Sequence, residues 1–316
     1  MLNKKLAVII PCMNEEEVIG NTSTIVLQFV NELKIQNIID DESFICFVDD
    51  GSTDDTWKHL LNISQKEKNI RAIKLSRNFG HQNALLAGLT SVSKECDFSI
   101  TIDADLQQDI SVIPDMIKKF YSGSEIVFGV RRDRTGDTLL KKITGIIFVN
   151  IFNIFGGNII KDHADFRLMG KKSISALLKY GESDIFLRGL VRDLGFSSSI
   201  IEFDQKERQY GKTKYTLIKM IQLAYNGVTS LTIAPLRYLL LLGAFSFLIS
   251  MFYVGYVIYV KIFTNQAVPG WASIVLPIWV FSSLQLLSIG LIGEYLSKIF
   301  IGIKKRPRFI IDEEIN

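Results

Sequence analysis

The chain opens with short apolar runs alternating with amphipathic stretches and closes with two long runs that carry no charge. Leu6 to Pro11 (LAVIIP), Phe44 to Val48 (FICFV), Ile70 to Leu75, Asp97 to Asp103 and Glu125 to Val130 have the length and composition of buried strands. Between the first two, apolar positions recur at Val18, Thr22, Ile25, Val26, Phe29, Val30 and Leu33, the helical period, predicting a helix over Glu15 to Lys34. Glu15, Glu16 and Glu17 in its first turn suit the positive end of the helix dipole. Ser52 and Asp55 have the form of a capping box ahead of a helix whose apolar face starts at Trp57, Leu60 and Leu61. Gln82 to Val92 and Ile113 to Tyr121 complete the helical set. Strands alternating with helices predict an α/β fold: a doubly wound, mostly parallel, Rossmann-like sheet with helices on both faces.

Beyond the sheet the pattern changes. Residues 139–155 (LLKKITGIIFVNIFNIF) and 215–229 (YTLIKMIQLAYNGVT) are apolar but too short to cross a bilayer comfortably, which predicts interfacial helices. Tyr238 to Val260 is a run of 23 residues without charge and Ile262 to Gly293 one of 32. About 20 helical residues cross the hydrocarbon core, so each run can span. Lys212, Lys214, Lys219 and Arg237 precede the first run, and Lys298, Lys304, Lys305, Arg306 and Arg308 follow the second. The uncharged link between them, turning at Pro269-Gly270, is then external, and both termini face the cytoplasm. The expected division is a cytosolic domain at 1–212, an interfacial helix at 213–230, a transmembrane hairpin at 231–301 and a cytosolic tail at 302–316. Removing residues 231–316 is accordingly expected to leave donor binding intact while losing transfer to long-chain acceptors.

Composition refines this picture only modestly. With 316 residues, 48% of them hydrophobic, the chain can bury a sizeable core, and its net charge of +3 contains no long basic block that would call for nucleic acid. Lys4-Lys5 and the following apolar run stop at Asn14-Glu15 without a small-residue cleavage site, so they are expected to be a strand and not a signal peptide. Cys12, Cys46 and Cys96 lack metal-ligand spacing and are expected to be reduced core thiols.

The chemistry concentrates at one sheet edge. Polar clusters at 11–16, 49–55, 76–81 and 103–107 all follow strands, and ligands of open α/β sheets bind beyond the carboxyl ends of the strands. Within Asp103-Ala104-Asp105-Leu106-Gln107, strand alternation would turn Asp103, Asp105 and Gln107 to one side. Mg²⁺ is commonly held by one or two carboxylates together with substrate phosphates, so the pair suggests a nucleotide-linked substrate. Asp49 and Asp50 should face opposite ways, with Asp50 the one that reaches the nucleotide. His81 and His163 lie near the site and are assigned no role.

The order and spacing of these motifs resemble the inverting nucleotide-sugar glycosyltransferases of the GT-A fold, specifically the polyprenyl-phosphate glycosyltransferases. The resemblance rests on Pro11-Cys12-Met13-Asn14-Glu15, Val48-Asp49-Asp50-Gly51-Ser52-Thr53-Asp54, Ser76-Arg77-Asn78-Phe79-Gly80, Asp103-Ala104-Asp105-Leu106-Gln107, Asp165-Phe166-Arg167-Leu168, the stretch Arg208 to Tyr215 and the two apolar runs. It implies donor contacts from Pro11, Asn14, Glu15, Asp50, Arg77, Gly80 and Asp103, and a divalent cation, Mg²⁺ or Mn²⁺, on Asp105 and Gln107. It further implies a catalytic or acceptor-organising Asp165 supported by Arg167 and Asp103, with Arg131, Arg208 and Lys214 toward the acceptor phosphate. The implied partners are a nucleotide sugar, with a UDP-sugar favoured, a polyprenyl phosphate, the bilayer of a bacterial inner membrane and further copies of the chain in a homo-oligomer. A glycan acceptor, a GDP-mannose donor and a non-catalytic nucleotide-sugar-binding scaffold are the rival readings.

Overall fold

The computed structural model describes residues 3–132, 163–181, 187–204 and 270–315, with isolated positions between 236 and 263. The strand expectations translate almost directly into β1 (Leu6–Cys12), β2 (Phe44–Asp49), β3 (Ile70–Leu75), β4 (Phe98–Thr101) and β5 (Ile126–Arg131). Two more strands, β6 (His163–Gly170) and β7 (Ser198–Phe203), complete the central sheet, and β8 (Ile311–Ile315) joins it from the far end of the chain. The strand order is β7-β5-β6-β4-β1-β2-β3-β8. β1 pairs in parallel with β2 and β4, β2 with β3, and β5 with β7, whereas β6 and β8 run antiparallel to their neighbours. The sheet is therefore mixed, with six strands in one direction.

Helices cover both faces. α1 (Ile19–Ile35), α2 (Thr56–Lys66) and α4 (Ile113–Tyr121) pack on the side of Val8, Ile10, Phe47 and Phe98. α3 (His81–Val92), α5 (Lys171–Leu177) and α6 (Leu187–Asp193) cover Ile9, Val48, Ile73 and Phe128. α3 lies unusually close to the sheet: a Cβ at Gly88 would come within 2.5 Å of the Ile9 side chain. All three cysteines are free and buried, and burial pushes the Cys46 and Cys96 thiols up to about 12, so they are inert core groups as expected.

Two local expectations fail. α1 starts at Ile19, so Glu15, Glu16 and Glu17 precede it; Glu16 instead accepts from the Asp55 backbone N–H at 2.9 Å. The Ser52/Asp55 capping box does not form either, because the Ser52 hydroxyl donates to the Asp49 carboxylate and Asp55 caps α2 without a side-chain bond. In both places the polar side chains join neighbouring loops to each other, which serves the site more than the helix.

The predicted helices at 139–155 and 213–230 lie outside the described residues. Among the described residues taken alone, no helix is long and apolar enough to cross a membrane. The part of the second uncharged run from Gly270 to Gly293 nevertheless falls on one helix, α7 (Gly270–Ile303), of 34 residues, whose first charged residue is Glu294. Seven residues after α7 the tail pairs with β3 as its edge strand, Ala72 opposite Ile315 and Leu75 opposite Ile311. A deletion of 231–316 would thus also strip an edge strand from the α/β domain, beside the loop that carries Arg77.

Candidate active site

The first two loops are tied together by their own polar groups. Asn14, with φ of 52°, donates its backbone N–H to Ser52 Oγ at 2.9 Å, and its side-chain oxygen accepts from the Thr53 backbone N–H at 2.8 Å. Glu15 N–H reaches Thr56 Oγ1 at 2.9 Å, and Pro11 lies buried on β1 opposite Val48. Asp49 and Asp50 do point to different partners, as alternation requires, and both are buried. The two oxygens of Asp50 accept from the backbone N–H groups of Phe79 (2.8 Å) and Gly80 (2.9 Å). Burial raises the Asp50 pKa while those two bonds oppose the rise. Asp50 thus shapes the loop that carries Arg77 and Gly80.

That loop lies against the turn at Gly51. A Cβ on Gly51 would stand 2.4 Å from the Arg77 carbonyl carbon, and its φ of 70° disfavours any side chain. Gly51→Ala is expected to destabilise the domain by roughly 1–3 kcal/mol, visible as a lowered thermal midpoint and weakened nucleotide binding. Arg77 stacks over Phe79, 4.0 Å from its ring centre, and donates to the Asn78 carbonyl at 3.0 Å.

The acidic turn departs from the extended geometry anticipated for it. β4 ends at Thr101; Ile102 N–H still reaches Ile9 O at 3.1 Å, and the chain then turns, with Leu106 N–H donating to Asp103 O at 3.2 Å and Leu106 at φ of 48°. Asp103, Asp105 and Gln107 are therefore placed by a turn, and strand alternation does not govern them. Gln108 clamps Asp103: its oxygen accepts the Asp103 backbone N–H at 3.1 Å while its amide donates to the Asp103 carboxylate. Asp105 accepts from Gln107 N–H at 3.2 Å. Burial raises the Asp103 pKa, the charges of Asp165 and Asp105 add to the rise, and His81 and Gln108 counter it.

Asp165 stands across from this turn on β6, and its backbone carbonyl accepts from Thr101 Oγ1. Its carboxylate is forked by Arg188 of α6, with Nε to Oδ1 at 3.2 Å and Nη2 to Oδ2 at 2.9 Å. His81, at the start of α3, lies 3.6 Å from Asp165 and 3.7 Å from Asp103. Burial would raise the Asp165 pKa, yet the Arg188 charge, the His81 ring 3.6 Å away and the two hydrogen bonds from Arg188 outweigh it and hold the carboxyl well below the usual range. For His81, desolvation at the site works against the charged ring, but the Asp165 and Asp103 carboxylates beside it prevail over that and over Arg188, and its pKa is raised.

A raised histidine pKa contributes stability that is complete below the unfolded value, about 6.5, and is lost as pH rises through the folded value. His81→Gln should therefore cost roughly 0.5–1 kcal/mol at pH 6 and little at pH 9, measured by denaturant unfolding at the two pH values.

Arg167, two residues on from Asp165 on β6, is fully buried, and its guanidinium nitrogens have no hydrogen-bond partner among the described residues. Burial lowers its pKa while Asp165 opposes that. Arg131 ends β5, and its neighbour Arg132 faces Glu202 and Asp204 at 3.4 and 3.5 Å. Arg208 and Lys214 lie outside the described residues. The structure thus gathers Asp103, Asp105, Gln107 and Asp165 with the loop of Arg77 and Gly80, and adds His81, Gln108 and Arg188. Of these additions, only His81 had a sequence signal, its place directly after the Gly80 loop.

A divalent cation fits this donor set in one way. Among the described residues no group of three His, Cys, Asp or Glu side chains could hold a metal ion. An ion at Asp105 and Gln107 must take its remaining ligands from substrate phosphate and water, which is the habit of Mg²⁺.

Residues 7–178 match Glycosyl transferase family 2. The chain belongs to that family. The glycosyltransferase is 44% identical over 98% of its length to YkoT of Bacillus subtilis, a glycosyltransferase of which it covers 92%. It is 33% identical to the SfII prophage-derived bactoprenol glucosyl transferase of Shigella flexneri, over 97% of each chain. The mannosyltransferase PcManGT of Pyrobaculum calidifontis, solved with GDP-Man and Mn²⁺, superposes with a TM-score of 0.45 at 12% identity, over 96% of this chain and 87% of that one. That likeness is too distant to carry an argument. The family and the sheet topology make the enzyme a glycosyltransferase with a GT-A-like α/β fold.

Proposed function

We propose that this glycosyltransferase transfers glucose, with inversion, from a UDP-sugar to the phosphate of a polyprenyl phosphate such as undecaprenyl phosphate, at the cytosolic face of a bacterial inner membrane. The observation that carries the reading is the state of Asp165. A carboxylate forked by Arg188, beside His81 and held well below its usual pKa, is a poor proton acceptor at neutral pH. A sugar hydroxyl needs a base; a phosphate monoester, with its second pKa near about 6, is already largely anionic. Asp165 with Arg188 then orients the acceptor and moves no proton. The name of the Shigella relative, a bactoprenol glucosyl transferase, supports both the lipid acceptor and glucose.

Asp105 and Gln107 would hold the divalent cation beside the donor diphosphate. When bound, the ion supplies neutralisation of the charge that develops on the leaving nucleoside diphosphate. Asp103, fixed by Gln108, faces the ribose and the transferred sugar, and the Arg77 loop lies toward the nucleotide. The bond from the anomeric carbon to the diphosphate breaks as an acceptor phosphate oxygen bonds that carbon from the opposite face. The product is a lipid-linked monosaccharide.

Membrane attachment is supported by α7. Ile274, Ile278, Ile289, Leu296, Phe300 and Ile303 are each more than half exposed, and a surface so apolar calls for burial in lipid or protein. The two uncharged runs in the sequence suit a hairpin of spans. The test is a screen of the purified full chain in detergent with UDP-glucose, other UDP-sugars and GDP-mannose, each with Mg²⁺ and undecaprenyl phosphate, read by product mass spectrometry. Glucosyl-phosphoryl-undecaprenol is expected; transfer from no donor, or only to a glycan, would refute the reading.

A further inference from the structure

The C-terminal tail is the one singled-out stretch that the proposed chemistry does not use, yet it is built into the catalytic sheet. β8 pairs antiparallel with β3 over Ala72–Leu75, and the ladder continues into the next loop, where Ser76 N–H donates to Ile310 O at 3.0 Å. Phe309 and Phe79 are both partly buried against the apolar cluster on the α3 side of the sheet. Arg308 donates to the Tyr180 carbonyl. Glu314 and Ser91 of α3 are 2.5 Å apart, and Lys74 lies 3.3 Å from Glu313. We propose that residues 308–315 are a structural part of the donor site, holding the Ser76–Gly80 loop in place and tying it to the end of α7. This rests on the reading of that loop as the one that meets the nucleotide.

The argument is one of anchorage. The inner side of the loop is fixed by Asp50, through Phe79 and Gly80, and by the close approach of Gly51 to Arg77. Its first residue, Ser76, is fixed by the tail, through its backbone N–H to the Ile310 carbonyl. Without the tail, the β3 edge and Ser76 would be left to solvent, and the loop, which includes Gly80 at φ of 92°, would keep only its contacts on the Asp50 and Gly51 side. Ordering it would then fall to the nucleotide, at a cost in affinity. The seven residues from Lys304 to Ile310 can reach at most about 25 Å, so the end of α7 cannot drift far from the donor loop. A span and the nucleotide site are thereby held on one short tether.

The test compares the full chain with a variant lacking residues 310–316, by hydrogen exchange and by UDP binding with Mg²⁺. The deletion should speed exchange at least tenfold at Ser76–Gly80, leave β1 and β4 protected and weaken UDP binding about five- to tenfold. KM for the polyprenyl phosphate should not change, and a peptide of residues 308–316 added in trans should restore part of the loss. Unchanged exchange at Ser76–Gly80, or faster exchange spread equally over β1 and β4, would overturn the proposal. In the intact chain, UDP should also slow exchange at Ile311–Ile315; protection of Ser76–Gly80 without it would overturn the proposal too. Exchange in the absence of nucleotide tests the tail by itself, whereas failure of the intact chain to bind UDP would count against the donor reading.

Discussion

Replacing Asp105 with alanine is expected to lower sugar transfer by roughly a thousandfold. A cation beside a leaving diphosphate is worth several kcal/mol of charge stabilisation, and each 1.4 kcal/mol or so is a factor of ten in rate. The described residues provide no three-ligand cage that could retain the ion once Asp105 is gone. The assay should therefore show the same residual rate with Mg²⁺ as with a chelator, where the unaltered enzyme shows a large difference between them. Asp103→Ala provides the contrast. Asp103 is clamped by Gln108 and faced by His81 and is assigned to the sugar and ribose, so its loss should chiefly raise the donor KM. A metal-stimulated rate in the Asp105 variant comparable with that of the unaltered enzyme would remove the ion from this turn.

The second large effect is expected at Asp165. Asp165→Asn preserves size and one acceptor oxygen but removes the charge on which Arg188 and His81 converge. Turnover should fall about a hundredfold or more, with the donor dissociation constant unchanged, because the proposed mechanism gives this group to the acceptor. If Asp165 were instead a general base, the rate of the unaltered enzyme would climb with pH through the Asp165 pKa. That pKa is held well below the usual carboxylate range, so no such limb is expected near neutral pH. The same depression carries a sign for stability. The Asp165 contribution is complete above the unfolded carboxyl value, about 3.9, and is lost as pH falls through the folded one. The Asn variant should show a shallower acid-side loss of stability, and near-normal turnover in it would show that neither a base nor an orienting carboxylate is needed.

Much of the α/β domain could be read along the chain. The runs at Leu6, Phe44 and Ile70 became strands within a residue or so of their expected ends, and Ile113–Tyr121 became a helix at its expected bounds. Burial imposes a period of 2.0 or 3.6 on neighbouring residues, so local pattern carries that information. The polar clusters after β1, β2, β3 and β4 could be assigned to one edge for the same reason: parallel strands put their carboxyl ends together.

The contacts that give the site its chemistry could not be read in this way. Arg188 meets Asp165 because β6 lies between β4 and β5 and α6 covers that face, an arrangement decided by sheet order over a separation of 23 residues. Gln108 and Gln107 are indistinguishable in the sequence, and only the turn after Thr101 decides which amide clamps Asp103. That both oxygens of Asp50 take backbone donors from Phe79 and Gly80 is also a matter of how two loops meet. The tail likewise gave no strand signal, since Ile311 to Ile315 is three acidic residues between two isoleucines, without apolar alternation, and is largely exposed. By itself the sequence determined the alternation of elements, the edge at which ligands bind and the apolar runs, all consequences of local periodicity and composition. Only the tertiary structure decided that Asp165 is held ionised by Arg188 and His81 and that the last strand closes on β3, because both depend on pairings between residues far apart in the chain.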